Sequence, residues 1–318
     1  MEKIIVLVGT NASGKSTLAV ELAKLYNGEV ISADSRQVYA GLDIATGKIT
    51  KEEMDGIPHH LLDVAHPQEV YTAADFARDG RTALIDIISR GKLPILAGGT
   101  GFYIDALLHP EMLAAVPPNE ALRAALEQKS SEELFSRLEK LDPVRAENLR
   151  DKNEQNHRRR LVRAIEIALT PAHKTPQSVK YDILWIGISW EKDVLEERIR
   201  ERTHQRMQQG MIEEAKQLHR NGISYERMEA LGLEYTHLAN YLRQRISKEE
   251  LIENIIISDR QYAKRQRTWF KRNKQIHWFT QERLKDVPSL VRTFLSEAGD
   301  EGIEPPTSVL ETEIIPLN

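Results

Sequence analysis

The chain has 318 residues, of which 41% are hydrophobic and 29% charged, a composition typical of a soluble globular protein with one large or two ordinary domains. It contains no cysteine, which excludes disulfides and Cys-ligated zinc. There is no apolar leader and no apolar run long enough to span a membrane, so we expect a cytoplasmic protein.

The net charge of −4 argues at first against a nucleic-acid partner, but the negative charge is concentrated near the C-terminus. Residues 296–318 contain six acidic residues and no Lys or Arg. Removing those six charges from −4 leaves +2 for the remainder, which permits a nucleic-acid partner without demanding one. The same stretch contains three prolines and shows no helical period, so we predict an acidic, mobile tail at residues 291–318.

The first apolar run, residues 4–8, leads directly into a phosphate-binding motif and then into a leucine-rich helical pattern. The spacing G-x-x-x-x-G-K-[ST] is matched by Gly9, Gly14, Lys15 and Ser16. Backbone N–H groups of such a loop surround a diphosphate, with Lys15 on the phosphates and Ser16 on Mg²⁺. A glycine-rich turn without a ligand is the alternative. The predicted binding residues are Gly9, Thr10, Asn11, Ala12, Ser13, Gly14, Lys15 and Ser16.

The second apolar run, residues 29–33, ends in a polar cluster. Asp34 follows it, where a carboxylate could bind Mg²⁺, accept a proton from a substrate, or cap a turn. The residues after it combine several hydrogen-bond donors with an aromatic ring, a set suited to recognising a base. They are Ser35, Arg36, Gln37 and Tyr39.

The third apolar run, residues 93–97, ends in a glycine-rich segment. Gly98, Gly99 and Gly101 would let the backbone approach a ligand closely, and Thr100 offers a hydroxyl there; a tight turn is the alternative. No apolar run ends in the Asp-Glu pair of a water-activating ATPase, although Asp63 is a candidate acid. This disfavours an ATP-hydrolysing motor.

The fourth apolar run, residues 183–188, follows a gap of more than eighty residues that is rich in helix formers. Alternating apolar runs and helical patterns predict an α/β fold, a P-loop NTPase-like core with a mostly parallel sheet and an inserted all-helical domain. We predict core segments at residues 1–112 and 182–290 and the insertion, opened by Pro117-Pro118, at residues 113–181.

Basic residues cluster in three places. Taken singly, each cluster is more often a solvated surface, but three of them beside a phosphate site favour an extended polyanion. In the third cluster, interleaved aromatic rings suit stacking on unpaired bases. The clusters are Arg158, Arg159, Arg160 and Arg163; Arg198, Arg202 and Arg206; and the basic residues of 260–274 around Tyr262, Trp269 and Phe270.

Seven segments together resemble the bacterial tRNA dimethylallyltransferases, also called tRNA isopentenyltransferases. They are GTNASGKSTLAVELA, GEVISADSRQVYAGLDIATGK, PHHLLDV, YTAADFARDG, GKLPILAGGTGFYIDALL, NHRRRLVRAIE and YAKRQRTWFKRN. The resemblance implies transfer of a dimethylallyl group from dimethylallyl diphosphate to the exocyclic amine of the adenine 3′ of the tRNA anticodon. It also implies a requirement for Mg²⁺ and a P-loop that binds the leaving diphosphate without using ATP.

The resemblance also assigns roles to residues. Asp34 matches the general base, Thr100 the hydroxyl near the reacting atoms, and Arg202 an arginine at the diphosphate, where Lys15 also acts. Arg206 stands where an apolar residue is usual, so the choice between Arg202 and Arg206 stays open. The positions implied to contact tRNA are Asp34, Ser35, Arg36, Gln37, Thr100, Arg123, Arg158, Arg159, Arg160 and Arg163.

Three other functions compete with this interpretation. They are an adenylate isopentenyltransferase acting on free nucleotides, a P-loop small-molecule kinase, and an RNA-binding GTPase-like module, which the absence of an N-K-x-D motif disfavours. The long basic insertion argues against the first, and we expect it to grip the anticodon stem-loop while the target adenine flips into the site. We expect a monomer without an obligate protein partner.

Overall fold

The computed structural model describes residues 1–113, 116, 119–170 and 180–297. The chain divides into two compact units, one formed by Met1–Leu108 and Val179–Asn318 and the other by His109–Ser178. Most of the predicted acidic tail, residues 298–318, and Pro117-Pro118 lie outside the described residues. Residues 291–296 of that predicted tail form the end of a helix.

The first unit is built on a sheet of six parallel strands in the order β3-β2-β4-β1-β5-β6. The predicted fold class is confirmed, and each of the four apolar runs forms a strand. The two edge strands have only two and three residues and contain histidines, so they could not be predicted from an apolar run. The strands are β1 Lys3–Gly9, β2 Gly28–Ser32, β3 His59–His60, β4 Leu93–Gly98, β5 Asp182–Ile188 and β6 His277–Phe279.

The central strands are apolar along their whole length because both faces of the sheet are covered. Along β1, Ile4 and Val6 point into one hydrophobic cluster and Ile5 and Leu7 into another, and all four are completely buried. The polar residues that follow the strands are therefore left at the carboxyl edge of the sheet.

Fourteen α-helices lie in the described part of the chain, several begun by a capping box such as that of Thr72 and Asp75. None of the described helices combines the length and the apolar character that crossing a membrane requires. The helices are α1 Lys15–Leu25, α2 Lys51–Met54, α3 Ala73–Ser89, α4 Gly101–Leu108, α5 Glu120–Glu127, α6 Ser131–Leu141, α7 Pro143–Asp151, α8 Arg158–Leu169, α9 Lys192–Gln208, α10 Met211–Arg220, α11 Tyr225–Leu231, α12 Glu234–Leu242, α13 Lys248–Phe270 and α14 Val287–Ser296.

The second unit contains α5 to α8 and has its own small hydrophobic core. Leu126, Leu134, Leu138, Leu161 and Ile165 are almost completely buried in it. The helices α5, α6 and α8 each contribute an apolar stripe to this core, and their exposed faces carry the charged residues.

Candidate active site

The loop that carries the G-x-x-x-x-G-K-[ST] motif connects β1 to α1, as the motif requires. Gly14 immediately before the helix has φ +88°, a left-handed conformation that glycine adopts without strain. The Lys15 ammonium folds back over the loop and donates to the carbonyl oxygen of Thr10 at 3.0 Å. Ser13 is 1% exposed, and its buried hydroxyl has no hydrogen-bond partner among the described residues. The loop therefore holds polar groups that its own fold leaves unsatisfied.

Burial and two nearby charges shift the pKa of Lys15. Desolvation lowers the pKa of its ammonium to about 8, Asp34 opposes this shift, and the nearby Arg202 reinforces it. A lysine destabilised in its charged form gains when an anion binds, because the anion replaces the lost hydration. The loop is electrostatically suited to a diphosphate.

The structure distinguishes Arg202 from Arg206, the two candidates on α9 for the arginine at the diphosphate. Arg206 is 5% exposed and donates to the carbonyl oxygen of Ala45 at 2.9 Å and to Glu234 at 3.0 Å, so its charge is used inside the fold. Arg202 donates to the carbonyl oxygen of Gly47 at 3.1 Å. The neighbouring Arg206, and then desolvation, lower the pKa of Arg202 to about 10. This arrangement favours Arg202 as the arginine available to an anion.

Glu214 on α10 stabilises the loop whose carbonyl oxygens accept hydrogen bonds from Arg202 and Arg206. Its carboxylate accepts the backbone N–H groups of Asp43, Ile44 and Ala45 at 2.9, 2.6 and 3.0 Å, and the hydroxyl of Tyr235 at 2.9 Å. No sequence pattern pointed to Glu214, since no spacing connects a glutamate to a loop about 170 residues away.

Asp34 follows β2 and is half-buried. Its Oδ1 accepts the backbone N–H groups of Arg36 at 2.8 Å and Gln37 at 3.3 Å, so the residue does form the turn considered as an alternative. Its Oδ2 receives no hydrogen bond within the described ranges of the chain, and this oxygen is free to accept a proton.

Thr100 stands beside this turn at the end of the neighbouring strand β4. Its hydroxyl oxygen accepts the backbone N–H of Ser35 at 3.1 Å and lies 3.5 Å from the hydroxyl of Tyr262 on α13. Burial, followed by the charge of Asp34, raises the pKa of Tyr262 to about 12, so this phenol stays protonated. In the sequence, Tyr262 stood out only as one aromatic ring in a basic cluster.

Residues 37–273 match the family model described as IPP transferase. The chain belongs to the IPP transferase family. The family predicted from the sequence motifs is thereby confirmed.

Relatives of this IPP transferase family member cover almost its whole length. The tRNA dimethylallyltransferase of Anoxybacillus flavithermus is 40% identical over 87% of this chain and 90% of its own. The tRNA dimethylallyltransferase 1 of Geotalea uraniireducens is 42% identical over 91% and 97%.

Solved structures of this family give the same result. The full-length tRNA isopentenylpyrophosphate transferase of Bacillus halodurans superposes with a TM-score of 0.70 at 38% identity, covering 93% of this chain and 98% of its own. A eukaryotic dimethylallyltransferase acting on tRNA gives a TM-score of 0.77 at 27% identity, covering 94% and 81%.

In this family member, the aromatic rings predicted to stack on bases are largely used for packing. Phe270 is 3% exposed. Trp269 donates its indole N–H to Asp105 at 3.1 Å, and the guanidinium of Arg272 lies 3.8 Å from its ring centre. Arg260 pairs with Glu196 at 2.7 Å.

The arginines of the helical unit differ in how they are bound. Arg123 and Arg163 both donate to the buried carboxylate of Glu166. Arg158 donates to backbone carbonyls near the end of α5, including Leu126 at 3.0 Å, and Arg160 pairs with Glu154. Arg159 is exposed, and its side chain forms no ion pair or hydrogen bond in the part of the chain that is described.

Proposed function

We propose that this family member transfers the dimethylallyl group of dimethylallyl diphosphate to the exocyclic amine of the adenine 3′ of the tRNA anticodon, giving isopentenyladenosine and diphosphate. The observation that carries the proposal is the order β2-β4-β1, because it brings three loops to one edge of the sheet. Gly9 ends β1, Asp34 follows β2, and Thr100 follows β4 between them. Two strand spacings separate the P-loop from Asp34, about 10 Å.

That separation suits a two-substrate transfer. The allylic carbon–oxygen bond breaks with its electron pair going to the diphosphate, and Lys15, Arg202 and the loop N–H groups stabilise the charge that grows there. The lone pair of the amine forms the new carbon–nitrogen bond. The proton released from that nitrogen goes to Asp34 through its free Oδ2.

Mg²⁺ fits this site through Ser16, which stands exposed in the first turn of α1. The described residues contain no group of three or more His, Cys, Asp or Glu placed to hold a metal ion. We therefore propose that Ser16 and the diphosphate oxygens bind Mg²⁺ together. The bound ion would supply positive charge against the leaving diphosphate.

We propose that tRNA is the acceptor because the relatives are named as enzymes that act on tRNA. None of these names supports a free nucleotide as the acceptor. Exposed basic side chains remain on α13 at Lys264 and Arg267 and directly after the helix at Lys271, and Arg159 is exposed in the helical unit. Such exposed cations suit phosphate contacts. We further propose that the helical unit grips the anticodon stem-loop and that the protein acts as a cytoplasmic monomer.

Labelled dimethylallyl diphosphate tests the proposal when it is incubated with the protein, Mg²⁺ and unmodified tRNA. The matched control is the same tRNA with guanine in place of the target adenine. We expect label in the first RNA at that nucleotide and none in the second. Label on AMP or ATP in parallel reactions would indicate the nucleotide-directed enzyme, and calorimetric binding of ATP in preference to dimethylallyl diphosphate would indicate a kinase.

A further inference from the structure

One face of α13 runs past both loops of the proposed site. Asp259, Tyr262 and Gln266 are spaced by three and four residues and therefore lie on the same side of the helix. The side chain of Asn11 in the P-loop donates to the backbone carbonyl of Asp259 at 3.4 Å. One turn on, Tyr262 reaches Thr100. The helix contacts the donor loop and the acceptor loop in turn.

Gln266 contacts both loops at once. It is 4% exposed, its Oε1 accepts the backbone N–H of Asn11 at 2.8 Å, and its Nε2 donates to the carbonyl oxygen of Gly99 at 3.1 Å. Only one orientation of the side-chain amide satisfies a donor on one side and an acceptor on the other. A Cβ on Gly99 would lie 2.1 Å from Nε2, so a glycine is needed for this approach.

We infer that Gln266 is a positioning residue, which sets the distance between a diphosphate in the P-loop and an acceptor at Asp34 and Thr100. This inference rests on the proposed function. Gln266 hydrogen-bonds a backbone group of each loop, so the amide fixes the positions of the two loops themselves. A misplacement of about 1 Å between reacting groups can lower a rate by about a hundredfold.

The test compares Gln266→Met and Gln266→Glu with the control Gln261→Met, which makes the same chemical change on the exposed side of α13. Methionine fills the space but removes both hydrogen bonds, while glutamate keeps the acceptor for Asn11 and loses the donor to Gly99. The measurements are single-turnover prenyl transfer to tRNA, dissociation constants for pyrophosphate and for tRNA, and hydrogen exchange of the Asn11 amide.

We expect single-turnover transfer by Gln266→Met to fall by about a hundredfold. Both dissociation constants should stay within about threefold of wild type, and the Asn11 amide should lose protection. Gln266→Glu should also transfer slowly but keep that protection, and Gln261→Met should match wild type. A purely structural role would lower the melting temperature without slowing transfer at a temperature where the variant is folded.

Wild-type transfer by Gln266→Met, or a loss confined to a raised KM for the donor, would overturn the inference. Unchanged protection of Asn11 in that variant would do so as well. If the Gln266→Met variant does not fold, transfer at the wild-type rate by Gln266→Glu would overturn the inference instead. A wild-type protein that transfers no label would refute the proposed function, whereas the exchange measurement still reports whether Gln266 holds the P-loop.

Discussion

Glu166 is the side chain on which we expect the stability of the helical unit to depend. Its carboxylate is fully buried. It accepts hydrogen bonds from two nitrogens of Arg123 at 2.7 and 2.9 Å, from one nitrogen of Arg163 at 3.1 Å and from the backbone N–H of Asn119 at 2.8 Å. Desolvation alone would raise its pKa, but these donors outweigh it and hold the pKa at about 2 instead of 4.5. This difference corresponds to about 3 kcal/mol of folding stability at neutral pH.

Glu166→Gln removes this charge and leaves two arginines facing a neutral amide. We expect the free energy of unfolding of the helical unit to fall by about 3 kcal/mol at pH 7. Because the native pKa is lowered, the wild-type advantage should be complete above about pH 4.5 and disappear as the pH falls towards 2. Urea-dependent hydrogen exchange of the α8 amides measures this unit alone, and Glu127→Gln, an exposed acid on α5, is the control.

We propose that the ion pairs of the helical unit also determine which of its arginines are available to tRNA. Arg123→Ala should destabilise the helical unit and leave the salt dependence of tRNA affinity nearly unchanged, since that guanidinium already serves Glu166. Arg159→Ala should keep the stability and flatten the slope of log affinity against log salt by about 0.7 to 0.9. Adding Arg160→Ala should change the slope little further, because Arg160 pairs with Glu154. Wild-type stability of Glu166→Gln, or equal slope changes for Arg123→Ala and Arg159→Ala, would refute this reasoning.

Further predictions concern the donor and acceptor loops. Asp34→Asn should lower single-turnover transfer at least about a hundredfold and leave pyrophosphate binding intact; normal transfer would show that this residue only forms the turn. Lys15→Ala should weaken donor binding as well as rate, and unchanged affinity in calorimetry would remove the P-loop from the donor site. Wild-type affinity for pyrophosphate should decline as the pH rises above about 8, where free Lys15 loses its proton; a pH-independent affinity in Lys15→Ala is the control. Arg202→Ala should weaken donor binding with the fold intact, whereas Arg206→Ala should lower the melting temperature by leaving Glu234 buried and unpaired; the reverse pattern in thermal melts and titrations would exchange their roles.

The sequence alone was enough to predict the parts of the structure whose residues follow one another along the chain. The P-loop was predictable because its strand, its glycine spacing and its helix occupy residues 4–25 without interruption. Asp34 and Thr100 could be predicted to lie at one edge because each follows a buried run, and the carboxyl ends of parallel strands meet at the same side of a sheet. The edge strands β3 and β6 have only two and three residues, too few to show such a pattern.

The tertiary structure decided what each charged or polar side chain does. Arg206 differs from Arg202 because Glu234, 28 residues away in sequence, lies within 3.0 Å of it. Arg123 is bound by Glu166, 43 residues away in sequence, and Gln266 reaches Asn11 across 255 residues. Helical spacing predicts ion pairs only three or four residues apart. An arginine that binds tRNA and an arginine that pairs with a buried carboxylate cannot be told apart in a sequence. The difference depends on which opposite charge lies within about 4 Å of the guanidinium after folding.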